Sequence, residues 1–311
     1  MKAVRYHKHG GPEVLQLEEI PRPAPSEMEV LVRVHAAGLN PGDWQIRSGY
    51  AGDRFPLPYI PGWDVSGVVE AIGPGVSAFR VGDEVYGMTA NSGACAEYVA
   101  VPVTQLARKP AVLSHIQAAA VPMSCFTAWH ALTKQGRLQA GETVIVNGAS
   151  GGVGHFAVQL AKQAGARVIG IASGRNAPFV RELGADQVID YTAAPREQPL
   201  WPADLALDTV GGTSGDLLLN LLRPGGRLVP VAFGQYDLEK AAARNVTVTA
   251  VQLLQIGSAA LEDIARWFDR GDLQVALDMT VPLAATRQAH ERSESRRARG
   301  KIVIVVKPDS V

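Results

Sequence analysis

Val144-Ile145-Val146-Asn147-Gly148-Ala149-Ser150-Gly151-Gly152-Val153-Gly154 is the stretch that decides how this chain is read. Three apolar residues at 144–146 predict a short buried strand. Four glycines, Gly148, Gly151, Gly152 and Gly154, follow within seven positions. Residues 155–164 then carry Phe156, Val158, Leu160 and Ala161 at helical spacing. Strand, glycine turn and helix together form the context of a dinucleotide fingerprint. A pyrophosphate must lie against backbone N–H groups at a helix N-terminus, where the dipole favours an anion and side chains would block the approach. The spacing is Ala149-x-Gly151-x-x-Gly154, with alanine in the first glycine slot. Ala149, Ser150, Gly151, Gly152, Val153 and Gly154 are therefore the first cofactor-binding candidates.

The next strand is predicted at 167–172 and ends at Ser173-Gly174-Arg175. Ser173 lies nineteen residues beyond Gly154, where an NAD-binding fold usually carries Asp or Glu for the ribose hydroxyls. This chain has a hydroxyl and a guanidinium there instead. Arginine pairs with phosphate through a planar fork, so the 2′-phosphate of NADPH is the better fit to Ser173 and Arg175.

The 311 residues are enough for two domains with large cores. Thirty basic residues balance thirty acidic ones, which argues against a surface built to hold nucleic acid. The first eleven residues are polar, with no apolar signal region, and no apolar run reaches membrane-spanning length. The expectation is a cytoplasmic protein without a membrane partner. The two cysteines, Cys95 and Cys125, exclude a disulfide framework and read as reduced thiols.

Residues 1–115 read as mostly β, with strands at 30–35, 65–72 and 81–86 and turn chemistry at Gly73-Pro74-Gly75 and Gly82-Asp83. That texture suggests a small barrel or sandwich. Residues 116–132 read as helical with a break at Pro122. Strands at 144–146, 168–171, 187–189, 204–207, 227–231 and 246–251 then alternate with helices at 152–164, 176–183, 213–222 and 258–270. This β-α alternation predicts an α/β fold with a doubly wound parallel sheet. The strand at 246–251 would be a sheet edge, and an open edge invites pairing, so a homodimer joined there is expected. Beyond 275 the alternation stops. The charged stretch 291–299 reads as a solvated helix end, and the strand at 301–306 is expected to return to the first domain.

Several stretches carry a resemblance that spans nearly the whole chain. They are Met1-Lys2-Ala3-Val4 with Gly11-Pro12-Glu13-Val14-Leu15, Ala37-Gly38-Leu39-Asn40-Pro41-Gly42-Asp43, Pro61-Gly62-Trp63-Asp64-Val65-Ser66-Gly67 and Val81-Gly82-Asp83-Glu84-Val85. Downstream come Thr127-Ala128-Trp129-His130-Ala131-Leu132, the glycine turn and Arg299-Gly300-Lys301-Ile302-Val303. Together they resemble the medium-chain dehydrogenase/reductase superfamily, in its zinc-independent, zeta-crystallin-like quinone oxidoreductase branch. The resemblance implies a GroES-like β-barrel domain at 1–117 and 276–311 around a Rossmann domain at 118–275 that binds NADPH.

It also frames the metal question. The zinc-dependent branch has cysteine where this chain has Asn40, and Gly-His-Glu where it has Gly62-Trp63-Asp64. Catalytic zinc needs about three Cys, His or carboxylate ligands, and structural zinc a closely spaced cysteine set, so no metal site is expected. Without a Lewis acid, hydride transfer to a small planar quinone or enone is easier than alcohol oxidation, and donors must steady the oxygen that gains charge. Candidate donors are Asn40, which the resemblance puts at the base of the site, and Tyr50 and Tyr59, which read equally as surface or core aromatics. Trp44, Phe55 and Trp63 read as an apolar wall or as core. Asp43 and Asp64 read as turn-capping carboxylates, and Arg47 as facing substrate, phosphate or solvent. The resemblance adds Thr127 near the nicotinamide, Tyr191 near the 2′-phosphate, Val210 and Phe233 at strand carboxyl ends, and Lys301 as a further cofactor contact. Two other readings share the fold: an enoyl reductase acting on a thioester, and a non-catalytic NADPH-binding protein of the crystallin kind.

Overall fold

The computed structural model describes residues 1–194, 200–249 and 256–307. In chain order its strands are β1 (Lys2–Arg5), β2 (Gln16–Glu19), β3 (Glu29–Leu39), β4 (Asp64–Ile72), β5 (Glu84–Met88), β6 (Tyr98–Pro102) and β7 (Leu106–Arg108). They continue as β8 (Thr143–Asn147), β9 (Arg167–Ala172), β10 (Gln187–Asp190), β11 (Ala203–Asp208), β12 (Leu222–Pro230), β13 (Thr247–Val248), β14 (Leu277–Pro282) and β15 (Lys301–Val305). The chain divides into two units, Met1–Phe126 with Gln255–Val311, and Thr127–Leu254.

The first unit is organised around β3, which is longer than its valine run alone predicts. One edge pairs antiparallel with β4 along most of its length. The other edge pairs with β6 at its first half and with β15 at its second. Val30, Val32, Val34, Val65, Val85 and Ile304 from these strands are buried in one core. Each such side chain contributes about 1.5–3 kcal/mol through burial. The return of residues 301–306 is therefore a strand pairing, Ile302 with Leu39 and Ile304 with Ala37.

Two elements here were not legible beforehand. β14 runs parallel to β15, and the helix Thr286–Glu294 crosses between them. Thr286, Ala289 and His290 are buried in its first part, while 291–299, expected as a solvated helix end, are exposed or half-buried around its last turn. The helix at 258–270, expected in the parallel-sheet domain, is Ser258–Asp269 and sits in the first unit. It buries Leu261, Ile264 and Phe268, an i, i+3, i+7 stripe, and the Tyr86 hydroxyl donates to the Leu261 carbonyl at 2.5 Å.

The helical stretch at 116–132 is broken as expected, into His115–Ala119 and Pro122–His130. Ser114 caps the first piece, accepting from the Gln117 amide at 3.2 Å, while the Gln117 side chain accepts from the Ser114 amide at 3.1 Å. Pro122 starts the second piece, where its missing N–H costs nothing.

The second unit is a six-stranded, all-parallel sheet in the order β10-β9-β8-β11-β12-β13. The order reverses between β8 and β11, and the carboxyl ends there are the usual ligand crevice of such sheets. Helix Gly154–Gln163 buries Phe156, Ala157, Val158, Leu160 and Ala161. Of the edge strand predicted at 246–251, β13 covers Thr247–Val248; residues 250–251, and 252–255 of the following loop, lie outside the described residues.

Candidate active site

In the second unit the glycine turn is built from close approaches. Gly148 has φ +78°, and a Cβ there would run into Thr209 and Val210. A Cβ on Gly154 would overlap the Gly148 carbonyl oxygen. Gly148 and Ala149 donate to the Ile171 carbonyl at 3.1 and 3.0 Å, and Gly151 donates to the Gly148 carbonyl at 2.9 Å. The amides of Gly152 and Val153, ahead of the helix, have no carbonyl partner among the described residues. This cradle, which side chains would fill, fits a pyrophosphate.

Ser150 and Ser173 are buried at the edge of this turn, and the Ser150 hydroxyl accepts from Asn176 Nδ2 at 3.1 Å. Arg175 is exposed and makes no ion pair among the described residues. Tyr191 is exposed at the end of β10, its amide donating to the Ala172 carbonyl at 3.2 Å. Between them lies Asp190, which sequence reasoning passed over. Its carboxylate sits against Gly174 and accepts from the Thr192 hydroxyl at 2.6 Å and amide at 2.8 Å. Those bonds, with one from the Gly174 amide, hold it below the usual carboxylate range. Thr127 is half-buried in the helix Pro122–His130.

Val210 and Phe233, both exposed, sit on loops that a buried acid ties down. Asp208, at the end of β11, accepts from Asn147 Nδ2 at 2.8 Å, the Val210 and Gly211 amides at 3.1 Å each, Ser214 Oγ at 2.8 Å and Tyr236 Oη at 2.8 Å. Gly212 donates to the Phe233 carbonyl at 3.0 Å, and Gln235 to the Gly212 carbonyl at 2.7 Å. Burial first, then the Asp208 carboxylate, holds the Tyr236 phenol well above its ordinary range. Asp208, Asn147, Ser214 and Tyr236 form no linear motif, so only the juxtaposed strand ends reveal them.

In the first unit, Asn40, Asp43, Asp64 and Lys301 form a buried network at adjoining strand ends. Asn40 Nδ2 donates to Asp64 Oδ2 at 3.0 Å, and Lys301 Nζ donates to Asn40 Oδ1 at 2.5 Å and to Asp64 Oδ2 at 3.4 Å. The Met123 amide donates to Asp64 Oδ1 at 3.0 Å. Asp43 accepts from the Asn40 amide at 2.8 Å and the Gly62 amide at 2.7 Å, so its expected turn-capping role holds while its burial is complete. Burial pushes Asp43 up to about 7 against those two bonds, and burial raises Asp64 against the pull of Lys301. Lys301, expected as a cofactor contact, has its ammonium bonded to Asn40 and Asp64.

The two tyrosines separate. Tyr50 is 68% exposed on a loop, whereas Tyr59 is buried against Tyr6 and Phe55 with ring centroids at 5.5 and 5.6 Å. Burial raises the Tyr59 phenol, whose ring packs into the apolar cluster with Tyr6, Val14 and Ile46. Phe55 and Trp63 meet edge to face at 6.0 Å beside the same cluster. Arg47 does not face solvent: it is buried and ion-paired with Glu294. Ser66, His115 and Glu84 line up at 2.8 and 3.1 Å, but Ser66 is fully buried and its hydroxyl also lies 3.0 Å from the Val85 carbonyl, so the row braces β4 rather than offering a nucleophile.

Among the described residues no group of three His, Cys, Asp or Glu stands together as a metal site, and no helix is long and apolar enough to cross a membrane. Comparison with known proteins gives two family matches, an alcohol dehydrogenase GroES-like domain over residues 26–111 and a zinc-binding dehydrogenase family over 183–304. The quinone oxidoreductase of Lama guanicoe is 34% identical, covering 99% of this chain and 98% of the relative. Among solved structures, the quinone oxidoreductase from Coxiella burnetii superposes with a TM-score of 0.90 at 32% identity over 99% of both chains. The Escherichia coli quinone oxidoreductase complexed with NADPH superposes with a TM-score of 0.89 at 29% identity, over 98% of this chain and 100% of the other. Full-length relatedness, a GroES-like first unit and a parallel dinucleotide-type sheet agree: the chain belongs to the medium-chain dehydrogenase/reductase superfamily.

Proposed function

We propose that the protein is an NADPH-dependent reductase of a small conjugated carbonyl compound, a quinone or an enone. The observation that carries the cofactor choice is the turn after β9, where exposed Arg175 stands with Ser173 and the nearest acid, Asp190, is committed to Thr192 and Gly174. When bound, NADPH supplies the hydride. Gly151, Gly152, Val153 and Gly154 would hold its pyrophosphate, Ser173, Arg175 and Tyr191 its 2′-phosphate end, and Thr127, Val210 and Phe233 its nicotinamide end. On the substrate side Asn40 steadies the oxygen that gains charge. Zinc independence belongs to this reading: Asp64 is spent on Lys301, Asn40 and the Met123 amide, a donor set ill suited to a metal. A cytoplasmic location and a homodimer joined along the β13 edge are further parts of the proposal, and gel filtration at the monomer mass alone would remove the dimer.

The test is NADPH oxidation followed at its absorbance band, with a quinone panel beside an enone panel, NADH in parallel and a chelator control. Acceptor-dependent oxidation that survives chelation and is weak with NADH supports the reading. Chelator-sensitive turnover overturns zinc independence, and no turnover on either panel overturns the substrate class.

A further inference from the structure

We propose that Lys301 and Asn40 act as a pair of hydrogen-bond donors to the oxygen of the reduced carbonyl compound, with Asp64 as the residue that holds both in place. This rests on the reductase reading. β3 ends at Leu39, β4 begins at Asp64 and β15 begins at Lys301, and β3 pairs antiparallel with both others. Three strand termini are thereby brought to one point, each delivering one polar side chain.

The bonding there is specific. The Lys301 ammonium has three hydrogens and makes two bonds among the described residues, to Asn40 Oδ1 and Asp64 Oδ2. Asn40 Nδ2 has two hydrogens and gives one to Asp64 Oδ2. Each group keeps one donor. The Asn40 amide has only one workable orientation. Turned over, its NH₂ would face an ammonium and its oxygen a carboxylate, so charge assigns the oxygen to Lys301 and the nitrogen to Asp64. Asp64 is itself anchored through its other oxygen to the Met123 amide at 3.0 Å, and the Asn40 backbone is anchored by Asp43 at 2.8 Å. The donors are thus preorganised and buried, the condition under which hydrogen bonds to developing charge are worth most.

The step balances without a further reactant. As the hydride adds to the acceptor carbon its two electrons form the new C–H bond. The conjugated π pair moves onto the carbonyl oxygen, Lys301 and Asn40 share the charge there, and water supplies the proton that completes the product.

The experiment compares wild type with Lys301→Met, Asn40→Ala and the double variant Lys301→Met/Asp64→Asn, which removes both buried charges and so guards against simple misfolding. Three quantities are read: kcat with a quinone, NADPH affinity by fluorescence, and the ionisation of bound 4-nitrophenol by absorbance. The expected result is a fall in kcat of about a hundredfold in all variants, with NADPH affinity changed less than about threefold. Wild type should ionise 4-nitrophenol at a lower pH than solvent does, and the variants should lose that shift. Retained kcat in the double variant, NADPH affinity lost in step with activity, or no nitrophenol shift in wild type would each overturn the donor pair. A wild type that shifts nitrophenol but oxidises NADPH with no acceptor would instead bring down the reductase reading.

Discussion

Both units bury a carboxylate at the ends of adjoining strands, and they satisfy it in opposite ways. Asp208 is held by five neutral donors, two amides of its own loop and three side chains. Asp64 is held by a lysine ammonium, one side-chain amide and one backbone N–H. A buried charge must be compensated in either case. Many neutral bonds distribute the compensation, and losing one leaves the rest. A single cation concentrates it, and losing that cation strands the charge. The first arrangement suits a scaffold that sets loop shape around Val210 and Phe233; the second suits a polarised cluster that can answer charge on a ligand.

The comparison breaks most easily at Lys301. Lys301→Met should destabilise the protein by about 3–5 kcal/mol, with most of that recovered in Lys301→Met/Asp64→Asn, as read by urea unfolding. Equal stability of the single and double variants would show that Asp64 does not depend on the lysine. Next comes the cofactor turn, which neither cluster touches. Arg175→Ala should lower the preference for NADPH over NADH by about ten- to a hundredfold, the worth of one or two charged hydrogen bonds, measured from kcat/KM for each nucleotide. An unchanged ratio would assign the preference elsewhere.

Tyr236→Phe removes one of the five donors on Asp208 and should cost only about 1 kcal/mol in unfolding experiments. A loss as large as that at Lys301 would erase the contrast between distributed and concentrated compensation. A last effect is a slope, smallest when read per pH unit near either end of its window. Asp43 is raised from 3.8 to about 7 by burial, so the folded chain keeps a proton that the unfolded chain has already released. Its contribution to stability is full below about pH 4, falls as pH rises towards 7 and is flat beyond, with a slope no steeper than about 1.4 kcal/mol per pH unit. Asp43→Asn should flatten urea-unfolding stability across that window; an identical slope in wild type and variant would remove burial as the cause.

Local chemistry made much of the second unit readable. The glycine turn, the alternating strands and helices, and the substitution of Ser173 and Arg175 for an acid all depend on residues a few positions apart. Less was readable in the first unit. Helix Thr286–Glu294 buries a narrow face of a charged segment, so its composition hides it. Tyr50 and Tyr59 look alike in sequence, yet one is exposed and the other packs against Tyr6 and Phe55. Arg47 gave no sign of its partner because Glu294 arrives from a helix near the other end of the chain.

The sequence by itself determined the fold class and the dinucleotide turn, because both are written in short-range spacing that backbone geometry must obey, and it carried the family resemblance in stretches spread along the chain. Only the tertiary structure decided what Asn40, Asp64, Lys301 and Asp208 bond to. Asn40 and Lys301 are 261 positions apart and meet because β15 pairs with β3 in one register. Asn147 and Asp208 meet because β8 and β11 are neighbours at the point where the parallel sheet changes direction. A side chain's partners across a sheet follow from strand order and register, and those are settled by packing of the whole core rather than by any single stretch of chain.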